Sequence, residues 1–142
     1  MKIIYTTLTS LFITTTASAL PGVPDGTYTG KGSMRTEDSP ATLYDATLTL
    51  SGTQMIAGYT YPNGRQVDYT ADTVITTGDR FDIKVDGKSI GSGYCEDTMC
   101  HLDIPEHEAE ETIIFHAGKL LRIGSMKHGN VTLTYSETLT PK

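Results

Sequence analysis

The stretch Phe81-Asp82-Ile83-Lys84-Val85-Asp86-Gly87-Lys88 decides how this chain is read. Phe81, Ile83 and Val85 alternate with Asp82, Lys84 and Asp86, and a period of two sends the apolar set to one face of a strand and the charged set to the other. Asp86-Gly87-Lys88 then supplies the positive φ that a tight hairpin turn requires. An apolar face, a wet face and a reversal together describe an antiparallel sheet with one side against a core.

The pattern repeats outward in both directions. Ala46, Leu48 and Leu50 alternate with Thr47 and Thr49, and Val131, Leu133 and Tyr135 with Thr132, Thr134 and Ser136. Turn signals recur at Pro62-Asn63-Gly64, Thr77-Gly78-Asp79, Ala117-Gly118-Lys119 and His128-Gly129-Asn130. Strands are expected near 26–35, 42–51, 53–61, 65–75, 80–85, 89–95, 100–104, 112–117, 119–126 and 131–139. Eight to ten short strands at this spacing imply an all-β, antiparallel, up-and-down meander that closes into a small barrel, with a β-sandwich as the alternative. Closure removes the edges that would otherwise aggregate. Pro105 to Glu111 is polar all round and is expected to be a solvated loop or a single turn.

The chain opens with Met1-Lys2, an uncharged stretch from Ile3 to Thr16, and Ala17-Ser18-Ala19. That is the order of a signal peptide with a small-residue cleavage site. Residues 1–19 are therefore expected to be a leader cut after Ala19, leaving one β-barrel domain over 20–142. The uncharged stretch falls short of the roughly 20 apolar residues of a spanning helix, and no cysteine follows the cut to carry a lipid. No integral membrane segment is expected after signal removal, and the protein is expected to be periplasmic or extracellular. With 17 acidic against 11 basic residues the net charge is −6. That sign argues against nucleic acid, whose phosphates are held by Lys and Arg.

Export places Cys95 and Cys100 in an oxidising compartment, where they are expected to pair across the base of a hairpin. A redox role is disfavoured. The spacing is not C-x-x-C, and Glu96 and Asp97 would raise a thiol pKa.

Gly26-Thr27-Tyr28-Thr29-Gly30 begins the first strand, and hairpins follow to the C-terminus. That layout resembles the calycin superfamily, the lipocalin, fatty-acid-binding and avidin-type barrels, whose first strand begins with Gly-x-Trp. Tyr28 stands where those barrels have tryptophan, and the stretch Val131 to Leu139 lacks the basic residue they place over that ring. The resemblance implies a ligand-holding barrel, with Tyr28 closing its base.

Two sets of residues could carry chemistry. Tyr28, Tyr59, Tyr61, Tyr69 and Tyr135, with Met55, could line a cavity for an apolar ligand with a polar end; ordinary sheet packing uses tyrosine equally well. His101, His107 and His116, among carboxylates, could ligate zinc or copper, although their spacing matches no zinc motif; the bland alternative is an acidic soluble loop. No G-x-S-x-G elbow or comparable nucleophile signature is present, and the acids fall in polar segments where a pKa suited to acid–base work is not expected. Asn130-Val131-Thr132 is an N-glycosylation sequon, meaningful only in a host that glycosylates exported proteins.

The expectation is thus an exported, non-enzymatic β-barrel without a cofactor. Its partner is a small apolar ligand or, if the barrel is a filled module, another exported protein that it inhibits or adapts. Metal binding through the loop 101–116 is the third alternative.

Overall fold

The computed structural model describes residues 18–142. Of the expected leader, only Ser18 and Ala19 fall among the described residues. The strands are β1 (Gly26–Thr36), β2 (Thr42–Ser51), β3 (Gln54–Thr60), β4 (Gln66–Thr77), β5 (Arg80–Val85), β6 (Lys88–Glu96), β7 (Met99–Ile104), β8 (Ala109–His116), β9 (Lys119–His128) and β10 (Val131–Pro141). Each strand pairs antiparallel with the next, and β10 returns to β1 with Tyr28 opposite Pro141 and Thr36 opposite Leu133. That last pairing closes the sheet and decides for a barrel over a sandwich.

The turns at 52–53, 78–79, 97–98 and 117–118 gather at one end, the base, and those at 37–41, 61–65, 86–87 and 129–130 at the other, the open end. Asp86 and Gly87 both take positive φ, 51° and 76°, the backbone of a two-residue hairpin turn. Between β7 and β8 a short 3-10 turn, Pro105–His107, crosses the open end. β8 then begins at Ala109. Glu110 and Glu111 therefore belong to the sheet, a correction to the loop expected as far as Glu111. The polar run alternates like any strand once it is paired with β7 and β9.

The lower half of the interior is apolar. Leu48, Leu50, Phe81, Ile83, Ile113, Leu120 and Leu139 are fully buried there. The segment before β1 crosses the base as a stopper, with Leu20 and Val23 buried in the same core and the Thr73 hydroxyl donating to the Ala19 carbonyl. Tyr28 seals the joint: its ring meets Phe115 edge to face at 6.2 Å, and its hydroxyl donates to the Pro24 carbonyl at 2.7 Å. Cys95 and Cys100 are bonded to each other across the β6–β7 hairpin at this end.

Three inward rings lie flat over glycines on the neighbouring strand: Tyr44 over Gly32, Phe81 over Gly93, and Tyr135 over Gly124. Each pair is directly opposed in the register. Removing a Cβ from the wall lets a large ring fit inside a barrel too narrow to hold it upright. Apolar burial fades toward the open end, where Val131, expected on the core face, is 47% exposed. It sits at the tip of the β9–β10 hairpin, above the packed layers.

Candidate functional site

Above the apolar half, the inward positions of five strands carry polar groups: Tyr44 on β2, Tyr59 on β3, Glu111 on β8, Arg122 on β9, and Tyr135 and Glu137 on β10. Strand alternation puts them there. Arg122 follows Leu120 by two, Glu137 lies between Tyr135 and Leu139, and Glu111 precedes Ile113 by two, so each shares the face of its apolar neighbours.

Arg122 is the hub. Its Nε and Nη2 donate to the two oxygens of Glu111 at 3.0 and 2.8 Å, a two-point grip. Its Nη1 donates to Glu137 Oε2 at 2.7 Å and reaches the Tyr59 hydroxyl at 3.4 Å. The Tyr44 hydroxyl donates to Glu137 Oε1 at 2.8 Å, and the Tyr135 hydroxyl donates to Glu111. Among the described residues no buried side-chain polar atom lacks a partner. That satisfaction is what permits charge in a core, since an unpaired buried ion costs several kcal/mol, of order 3–5 when one partner of a pair is removed.

The electrostatics follow from burial and proximity. Burial pushes the Tyr59 phenol up to about 12, with Arg122 partly opposing it. Burial, followed by Glu137 beside it, lifts Tyr44; burial and then Glu111 lift Tyr135. Burial raises Glu137 above the ordinary carboxylate value, against Arg122 and the Tyr44 hydrogen bond. For Arg122, burial opposes the charge, but Glu111, Tyr59 and Glu137 outweigh it and hold the guanidinium protonated.

Solvent reaches this layer. Glu111 keeps 14% of its side chain exposed although it points inward, and Tyr59 and Tyr135 are half-buried. Around and above lie Met34, Tyr61 and Leu133, half-buried, with Met126 37% and Tyr69 63% exposed. The result is an apolar, ring-rich rim over a polar floor. Four phenol rings meet along it: Tyr44 lies 5.6 Å from Tyr59 and 6.1 Å from Tyr61, and Tyr59 lies 5.9 Å from Tyr69.

Of the residues expected to line a cavity, Tyr59, Tyr61, Tyr69 and Tyr135 come together at this end. Tyr28 is in the base, and Met55 is on β3 beside the base turn, packed against the core. The three histidines are not brought together. His101 is on the outer wall, 5.7 Å from the Tyr94 ring, between grooves of about 500 and 430 Å³. His107 is in the turn at the open end and His116 at the base end of β8. Since His101 opposes Thr112, four residues before His116, about 13 Å of strand separates those two. A single ion cannot bridge that distance. Among the described residues no three His, Cys, Asp or Glu side chains gather closely enough to hold a metal, which corrects the shared site expected over 101–116. Arg122 and Glu137 are not among the expected site residues, and Glu111 is expected only as one of the carboxylates among the histidines, although the place of all three on the apolar parity of their strands marks them.

No family model matches the chain, and no curated protein matches it. Among solved structures the barrel is similar to an S-type phycobiliprotein lyase from Guillardia theta, at a TM-score of 0.66 and 11% identity over 83% of this chain and 88% of that one. It is also matched to the zebrafish ileal bile acid-binding protein complexed with cholic acid, at a TM-score of 0.42 and 15% identity over 83% of this chain and 98% of that one. At such identities the first likeness is one of fold, and the calycin-like architecture read from the sequence stands.

Proposed function

We propose that this chain is an exported, non-enzymatic calycin-like barrel that holds a small, mainly apolar ligand at its open end. The observation that carries the reading is the apolar rim of Met34, Tyr61, Tyr69, Met126 and Leu133 set over a polar floor that solvent reaches through Glu111 and Tyr59. Such a rim accepts an apolar body, and the floor orients its polar end. Export is supported by the leader-like start and by the Cys95–Cys100 disulfide, which belongs to an oxidising compartment. Among the described residues no helix is long and apolar enough to cross a membrane.

A non-enzymatic role is supported by what the floor is made of. The network's hydrogen-bond partners are tyrosines, carboxylates and one guanidinium. Phenols pushed up by burial are poor bases near neutrality, and the carboxylates are already engaged by Arg122. Sharing a fold with a lyase does not transfer its chemistry.

The reading is tested by native mass spectrometry of the protein purified from its own host. A co-purifying small apolar molecule is expected. A barrel that carries no such molecule and takes up no added amphiphile overturns the proposal.

A second reading, a filled module acting on another exported protein, is favoured by the solid lower half, where rings lie flat on glycines and leucines occupy the axis. A stoichiometric protein partner in the same spectrum would select it.

A further inference from the structure

On the ligand reading above, the charge of the ligand follows from which groups the floor leaves open. Among the described residues Arg122 is the only cation in the floor, and its fork is taken: Nε and Nη2 hold Glu111, and Nη1 holds Glu137. A carboxylate head entering from the open end would find no free fork to grip it. It would meet Glu111 first, because Glu111 is the charged group of the floor that solvent reaches. Two carboxylates face one guanidinium, so the floor carries an excess of acid over base.

A chain of rings runs from that floor up to the rim. Tyr44, Tyr59, Tyr61 and Tyr69 form a chain of edge-to-face and tilted contacts at 5.6–6.1 Å. Tyr69 completes it while 63% exposed; an inward-facing ring left open to solvent is available to a ligand. Aromatic faces are electron-rich and attract a cation most strongly where water is excluded. Rings with a carboxylate behind them make a site for a positive head.

We propose that the open end binds an organic cation with an apolar tail, an alkylamine or alkylammonium ion. Its head sits among Tyr59, Tyr61 and Tyr69, toward Glu111. Its tail lies along Met34, Met126 and Leu133.

The chain has no tryptophan, and five of its eight tyrosines, Tyr44, Tyr59, Tyr61, Tyr69 and Tyr135, belong to the floor and rim, so a change in phenol emission follows binding there. The full folded protein is titrated at neutral pH, below micelle formation, with decyltrimethylammonium, decylamine, decanol and decanoate. The two cations are expected to bind at least about tenfold more tightly than decanoate. Glu111→Gln is expected to remove most of that preference, read as the ratio of cation to decanoate affinity within the variant; Asp45→Asn, on the outer wall, leaves all four affinities unchanged. Should Glu111→Gln not fold, Tyr69→Ala replaces it, since an exposed ring can be lost without disturbing the core; it is expected to weaken cation binding severalfold. Decanoate binding as tightly as the cations overturns the cation assignment and leaves the ligand reading standing. Failure of all four probes, decanol included, overturns both.

Discussion

Gly124 and Tyr135 face each other across β9 and β10, and the tyrosine ring covers the glycine so closely that a methyl group there would overlap its Cζ and Oη. The contact sets the tilt of the ring and, through it, the position of the hydroxyl that donates to Glu111. A missing Cβ on the wall is therefore part of how the polar floor is aimed.

Gly124→Ala is expected to lower stability by about 1–3 kcal/mol through overpacking. Combined with Tyr135→Leu, the loss should be smaller than the sum of the two single losses, because the clash disappears with the ring. Denaturant unfolding of the four proteins reads the coupling, and strict additivity would rule out the contact.

Arg122→Met removes the one cation between two inward carboxylates and is expected to cost about 3–5 kcal/mol, the penalty of leaving buried charge unpaired. Adding Glu111→Gln and Glu137→Gln should restore part of it. A loss under about 1 kcal/mol for the single variant would mean that the guanidinium is not buried as described.

How far the sequence foretold this arrangement depends on the residue. Phe81 and Ile83, and Ala46, Leu48 and Leu50, point inward as their period of two requires, and the glycine-bearing turns fall where the hairpins reverse. The strand ends were off by only a few residues, most at Ala109. For Arg122, Glu111 and Glu137 charge alone suggests a wet face, whereas their alternation with Leu120, Ile113 and Leu139 is the better guide. Arg122 lies 11 residues from Glu111 and 15 from Glu137, and the register of the two consecutive hairpins β8–β9 and β9–β10 brings the three together. Tyr44 meets Glu137 across 93 residues of sequence, a contact that no local pattern announces.

Alkaline titration should unfold the barrel through its phenols. Tyr59 is pushed up to about 12 from an ordinary 10.0, and Tyr44 and Tyr135 shift in the same direction. A group whose folded pKa is raised contributes stability that is complete below its unfolded value and is lost as pH rises through the folded one. Tyrosinate absorbance from these rings should therefore appear together with loss of near-ultraviolet circular dichroism, above pH 10. Their ionisation in a barrel whose dichroism is intact would contradict the burial.

At the base, Tyr28→Ala is expected to cost on the order of 3 kcal/mol for the lost ring, and Tyr28→Phe about 1 kcal/mol for the hydrogen bond to Pro24. Gly26→Val should also destabilise, because φ there is +154° and a β-branched residue resists that backbone. Equilibrium unfolding checks all three. A Tyr28→Ala variant within about 0.5 kcal/mol of wild type would place the ring on the surface.

Replacing both Cys95 and Cys100 by serine should lower stability by about 2 kcal/mol, since a loop this short restricts the unfolded chain only modestly. The variant should keep its β-sheet circular dichroism. A protein that no longer folds would mean that the bridge does more than close a hairpin.

The stopper at the base fixes a direction for the whole molecule. The segment before β1 enters there, with Leu20 and Val23 buried in the base core, and Lys142 is held there by its amide donating to the Thr27 carbonyl at 2.9 Å. Both ends of the described chain thus leave from the pole opposite the tyrosine rim. Attached to a bead, a sensor chip or a fused domain by either end, the barrel would stand with its mouth facing outward, whereas the same attachment spliced into the turn at 61–65 would obstruct it.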